Sequence, residues 1–131
     1  MKSVDIIIVV HNALTYVKKC IESIQKYTLD NYNIIIVDNN SNQETKTYLK
    51  SLKNVKIIFN EENYGFGYAN NQAVRCTHSK YICFLNSDTI VTKNWLSRLM
   101  EMLEITNAGI IGPVSNSVSS EIQKINFLHI L

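Results

Sequence analysis

The apolar run "YICFL" stops at Asn86-Ser87-Asp88 and then resumes, which leaves one carboxylate just past a stretch that reads as buried. A single carboxylate holds a hard divalent cation weakly. Mg2+ and Mn2+, however, commonly take only one or two protein carboxylates and complete their shell with phosphate oxygens and water. Asp88 therefore suits Mn2+ or Mg2+ held jointly with a diphosphate-bearing ligand; the plainer alternative is a helix cap near Lys93. Asp38 closes a second apolar run and opens "NNSNQET". Its carboxylate can accept an N–H from a base or a ribose hydroxyl, while Asn39, Asn40, Ser41 and Asn42 have the composition of a turn and cap. His11 and Asn12 follow a third run. No Ser or Cys nucleophile is placed beside His11, so a structural or base-stacking ring is favoured over a general base.

Gly65 and Gly67 suggest a dinucleotide loop, but Asn70 stands where the third glycine of G-x-G-x-x-G belongs, and the first strand-to-helix turn contains no glycine. No G-K-[ST] phosphate loop is present either. The glycines instead predict a tight loop before a helix from Tyr68 to Cys76, with Asn70 or Asn71 facing a ligand crevice.

These residues need a frame that brings them together. "VDIIIVV", "YNIIIVD", "VKIIF" and "KYICFL" are short, β-branched and apolar almost throughout, as strands covered on both faces are. Between them run helical spacings: Leu14, Val17, Ile21, Ile24; Thr45, Tyr48, Leu49, Leu52; and Tyr68, Ala69, Ala73, Val74. A fourth such pattern follows from Trp95 to Leu103, and "AGIIGPV" reads as a fifth strand. Alternation of this kind predicts an α/β fold, doubly wound, with a mainly parallel sheet and helices on both faces. Ligands then bind beyond the carboxyl ends of the strands, where every polar cluster named above falls.

Composition narrows the function. With 131 residues and 46% hydrophobic content the chain can bury a core, and thirteen basic residues against eleven acidic ones are scattered without a basic run. Nucleic acid is not an expected partner. Cys20, Cys76 and Cys83 are an odd set without metal-ligand spacing and read as small buried hydrophobes in a reducing compartment. The start "MKSVDIIIVVHN" is too short and wrongly flanked for a leader or a span, so the expectation is a cytoplasmic protein, or one peripheral at the inner face of the membrane.

In order and spacing, these motifs resemble glycosyltransferase family 2, the nucleotide-diphospho-sugar transferases of GT-A fold. "VVHNA" looks like the family's first-strand motif, "VDNNSNQET" is similar to its "VDDGSxDxT" or "VDNNSxDxS" signature, and "NYGFGYANNQA" to "NxGxxxAxNxG". "FLNSDTIV" followed by "WLSRLM" looks like the D-x-D region and its helix, and "IGPVSN" resembles rhamnosyltransferase-like members. The resemblance implies that Val10 and His11 border the base, and that Asp38, with Asn40 beside it, bonds base or ribose. It implies further that Asn63, Gly65 and Asn71 shape the nucleotide-contacting loop and helix, and that Asn86 and Asp88 occupy the D-x-D ends with Asp88 on the metal. The implied reaction transfers a sugar from a UDP, dTDP or GDP donor to a saccharide or lipid-linked acceptor, in cell-surface polysaccharide synthesis.

Departures from the pattern carry their own expectations. Asn86 replaces the first acid of D-x-D and brings no charge, Asn70 stands where many members have Arg, and no motif marks Glu121 as a catalytic base. Residues 1–116 then read as a donor-binding core, and 117–131 as a tail entering an acceptor half that is absent. Such a fragment is expected to be inactive alone and to self-associate through its uncovered face. The rival from another class is a non-catalytic nucleotide-binding or protein-interaction module of the same fold. A receiver domain fits poorly, because His11-Asn12 and Asn60 stand where its acids belong.

Overall fold

The computed structural model describes residues 3–113. The expected tail from 117 to 131, Glu121 included, lies outside the described residues. The chain divides into two units, Met1–Lys93 and Asn94–Leu131. In the first, β1 (Ser3–Val10), α1 (Leu14–Tyr27), β2 (Asn31–Asp38), α2 (Gln43–Ser51), β3 (Val55–Phe59), α3 (Phe66–Val74) and β4 (Tyr81–Phe84) alternate as the apolar runs predict. In the second, α4 (Trp95–Thr106) is described.

The four strands form one parallel sheet in the order β3-β2-β1-β4. β1 pairs on both sides, with Ile6 opposite Ile34 of β2 and opposite Cys83 of β4. That central place explains its composition: Ile6, Ile7 and Ile8 have no exposed surface. Each such side chain, once buried, stabilises the fold by about 1.5–3 kcal/mol.

Right-handed crossovers decide which face each helix covers. β1 to β2 and β2 to β3 step in one direction along the sheet, so α1 and α2 share a face; β3 to β4 steps back past β1, so α3 takes the other. Ala69 and Ala73 of α3 accordingly pack on Ile7, Ile35 and Val37, with Val9 and Ile58 at the margin. Two alanines let the helix approach closely. On α1 the buried stripe is Val17, Cys20, Ile21 and Ile24.

Two boundaries differ from expectation. α3 runs Phe66–Val74 rather than Tyr68 to Cys76, starting early because Gly65 takes a positive φ (85°) open to glycine. Residues 108–113 form no strand: α4 ends at Asn107 in the left-handed region (φ 51°), and Ile110 is 91% exposed. An apolar run becomes a strand only against a pairing edge, and none meets it among the described residues.

Candidate functional site

The strand order reverses at β1, whose neighbours lead to opposite sides, and a crevice opens there beyond the carboxyl ends of β1 and β4. It is a cleft of about 630 Å³, lined by Val9, His11, Ala13, Tyr16, Asn39, Asn63, Phe66, Asn86, Ser87 and Asp88. That volume lies within the range of small-molecule sites. Asp88 is the one formally charged side chain of this lining, which includes neither Lys nor Arg.

Asp88 sits on a turn that the strands hold. The Leu85 N–H donates to Ile7 O at 2.9 Å, extending the β1–β4 pairing by one residue, and the Thr89 N–H donates back to Asn86 O at 3.1 Å. Ser87 and Asp88 thus occupy the two corners of a β-turn, with Asp88 exposed. Beneath the turn, the Cys20 thiol donates to Asn86 O at 3.6 Å. Burial, and then the nearby Asp88 charge, push that thiol up to about 11. Helix α4 takes Asn94 as its N-cap residue, left-handed at φ 62°.

His11 is oriented by its backbone partner. Its Nδ1 lies 2.9 Å from Asn39 O. A carbonyl only accepts, so Nδ1 carries the proton and Nε2 is left as the acceptor for Asn12 Nδ2–H at 3.3 Å. Asn12 in turn ties the β1 tip to the β2–α2 loop: its N–H donates to Ser41 Oγ at 2.8 Å, and its Oδ1 accepts from the Asn42 N–H at 2.7 Å.

Of the residues singled out from sequence, the cleft gathers His11, Asn63, Asn86 and Asp88. Gly65 borders it as the N-cap residue of α3, its N–H donating to Asn63 Oδ1 at 3.0 Å. Val10 and Asp38 have no exposed surface. The Asp38 carboxylate accepts from the Ser41 N–H at 3.2 Å. Asn40, left-handed at φ 62°, turns outward, and its Oδ1 accepts from Lys46 Nζ at 3.0 Å. Asn71 is exposed on α3 outside the lining. Asn70 folds back on its own helix, Nδ2 donating to Phe66 O at 2.9 Å. Sequence reasoning read Asn39 as turn chemistry and passed over Tyr16 and Phe66. The two rings are 59% and 58% exposed while lining the cleft, and exposed aromatics at a turn were the available signal.

Strain accompanies the site. Among the described residues six non-glycine residues are left-handed; five are Asn, which tolerates that region, and the sixth is Ala13 (φ 56°) at the start of α1. A left-handed Cβ costs roughly 1–2 kcal/mol. Ala13→Gly is expected to stabilise the domain by about 1 kcal/mol, after subtracting the added freedom of the unfolded chain. Thermal unfolding of the two proteins measures the difference.

The family model described as "Glycosyl transferase family 2" matches residues 5–129. The chain belongs to this family. Among relatives of this family 2 chain, an uncharacterized glycosyltransferase of Haemophilus influenzae is 30% identical over 105 residues, covering 77% of this chain and 32% of the relative. A teichoic acid poly(glycerol phosphate) polymerase of Staphylococcus epidermidis is 29% identical over 119 residues, covering 87% and 16%. The crystal structure of S. aureus TarS 1-349 in complex with UDP superposes with a TM-score of 0.74 at 18% identity, covering 92% of this chain and 38% of that one. The parallel sheet and its helices are thus the GT-A fold. This family 2 chain spans about a third of the Haemophilus relative. Among the described residues no helix is long and apolar enough to cross a membrane, and no three His, Cys, Asp or Glu side chains converge as a metal site.

Proposed function

We propose that this family 2 domain binds a nucleoside-diphosphate sugar together with Mn2+ or Mg2+ in the cleft at the β1–β4 switch point, for transfer of the sugar to an acceptor hydroxyl. The observation that carries the reading is the convergence of His11, Asn63, Asn86 and Asp88 on one cleft whose lining offers a single negative charge and no cationic side chain. A diphosphate entering alone would meet the Asp88 charge with no cationic side chain of the lining to offset it. Asp88 is the residue that would hold a divalent cation there, and such a cation would supply the positive charge a diphosphate needs, in keeping with the oxygen-rich, one-carboxylate sites that Mg2+ and Mn2+ accept. Asn86, and Ser87 beside it, add neutral polar groups and no charge.

The roles divide along the cleft. Asp88, with Asn86, serves the diphosphate end; His11, Asn63 and the exposed ring of Phe66 serve the nucleoside end; Val10 and Asp38 close the floor; and Asn40, Gly65 and Asn71 shape the surrounding loop and helix. A cation held by Asp88 would supply charge stabilisation to the leaving diphosphate; in the transfer the anomeric carbon's bond to the diphosphate oxygen breaks, the acceptor hydroxyl oxygen bonds that carbon, and the hydroxyl proton passes to solvent or a base. The acceptor we expect is a saccharide or a lipid-linked one on the cytoplasmic side of a membrane, in surface-polymer synthesis. The teichoic acid polymerase among the relatives supports that setting.

Residues 1–116 form the donor-binding core in this reading. Ile82 and Phe84 on the edge strand β4 are 39% and 57% exposed, so copies of the isolated chain are expected to associate through that face; light scattering tests this. Titration calorimetry with UDP, dTDP and GDP, each with and without Mn2+, tests the site. Heat that depends on Mn2+ is expected for at least one nucleotide, and its absence for all three at millimolar concentration would sink the reading.

A further inference from the structure

Asn39 is buried to 2% exposure and joins more of the cleft's framework than any residue that sequence reasoning chose. Its N–H donates to Val10 O at 2.7 Å, and its carbonyl accepts from His11 Nδ1 at 2.9 Å. Its side-chain Oδ1 accepts from the Tyr64 N–H and from Asn60 Nδ2, both at 3.1 Å. Its Nδ2 donates to Asn63 Oδ1 at 2.6 Å and to Gly65 O at 3.4 Å.

Backbone groups determine the direction of every proton in this set. The Tyr64 N–H must meet an oxygen and the Gly65 carbonyl must meet an N–H, so the Asn39 amide has one orientation. The Gly65 N–H donates to the same Asn63 atom that Asn39 contacts, which makes that atom an oxygen. A carboxamide offers two donors and two acceptor lone pairs. Asn39 uses all four within the protein, and none is left for a ligand. The chain of amides continues outward, since Asn60 and Gln72 exchange a reciprocal pair at 2.8 and 3.0 Å, anchoring the network on α3.

We propose that Asn39 is the positioning residue of this site: its side-chain amide locks the 63–66 loop to the strand tips and its backbone carbonyl orients the His11 ring, so the nucleoside end of the cleft keeps its shape through Asn39 without a hydrogen bond from the Asn39 amide to the ligand. The consequence for ligand affinity rests on the nucleotide reading; the consequence for the loop does not.

The proton directions make an asymmetric demand. In Asn39→Asp both donors vanish, and carboxylate oxygens face Asn63 Oδ1 and Gly65 O. In Asn63→Asp the two hydrogen bonds at Oδ1 both terminate on an acceptor, and a carboxylate keeps them. One and the same amide-to-acid change, made at either end of one hydrogen bond, should therefore have opposite outcomes.

Amide hydrogen exchange at Tyr64 and Gly65, with titration by UDP plus Mn2+, tests the proposal on the whole chain. Asn39→Asp is expected to speed exchange at both amides by about tenfold or more and to weaken UDP by a similar factor. The gap to the natural protein should narrow at acidic pH, where protonation of the introduced carboxylate restores one donor. Asn63→Asp should leave exchange within about threefold. Gln72→Glu, outside the cleft, should speed Tyr64 exchange and weaken UDP in parallel, and it stands in if Asn39→Asp does not fold. Equal exchange in Asn39→Asp and Asn63→Asp overturns the proposal, as does weakened UDP binding with loop exchange unchanged, which would make Asn39 a ligand contact. If the natural protein takes up no nucleotide, the donor-site reading fails and exchange alone decides the role of Asn39.

Discussion

Asp88→Asn is expected to lower the Mn2+-dependent affinity for UDP by about a hundredfold or more, equivalent to about 2.7 kcal/mol, while leaving the unfolding midpoint unchanged. The carboxylate is exposed at the corner of a turn whose backbone bonds, from Leu85 to Ile7 and from Thr89 to Asn86, do not involve its side chain. Removing its charge therefore leaves the framework intact and takes away the one anionic group of the cleft lining. Asn86→Asp makes the reverse change: a second carboxylate on the same turn should raise Mn2+ affinity even without nucleotide. Calorimetry on the three proteins measures both. Equal UDP binding in all three would remove Asp88 from the site and leave it an ordinary surface acid.

The second large effect lies at the opposite end of the sheet. Asp5 is 3% exposed, and its carboxylate accepts four hydrogen bonds: Asn33 Nδ2 at 2.8 Å, Ser79 Oγ at 2.7 Å, and the N–H groups of His78 and Ser79 at 2.9 and 3.1 Å. Burial pushes its pKa up, but the four bonds together outweigh burial and bring it down to about 2. A depressed acid contributes stability above its unfolded pKa, near 3.8, and loses that contribution as pH falls toward 2. The difference of nearly two pKa units is worth about 2 kcal/mol. Asp5→Ala should cost more, roughly 3–4 kcal/mol at pH 7, because it strands buried donors as well as removing the charge. Denaturant unfolding of both proteins between pH 2 and pH 7 checks the sign: the gap between them should narrow as pH falls through that window.

Short β-branched runs bounded by polar turns were the legible elements, and β1, β2 and β3 fall within a residue of their predicted limits, although β3 is only half-buried. "AGIIGPV" misled because composition cannot show whether an edge is available to pair with. Within the cleft, His11, Asn86 and Asp88 were legible because each stands just past a strand end, where topology alone puts ligands. Asn39 was not. It stands in a run of Asn and Ser that reads as turn chemistry, and its side-chain partners, Asn60, Asn63, Tyr64 and Gly65, lie 21 to 26 residues away. Asp38 looked the stronger candidate because it carries a charge; its carboxylate is buried and accepts the Ser41 N–H.

The strand order also governs how the molecule comes into being. Of the four strands β1 is made first, and its pairing with β2 spans 28 residues, as in Ser3 with Asn31; its other edge waits for β4, as in Val4 with Tyr81. Until residue 84 has emerged, the most apolar strand of the chain has one open side, and the Asp5 carboxylate lacks its His78 and Ser79 donors. Closing that distant pair is the slow, late event expected of a long-range contact. The half-made sheet is the species that a nascent-chain chaperone would meet, and Asp5→Ala should lengthen its lifetime.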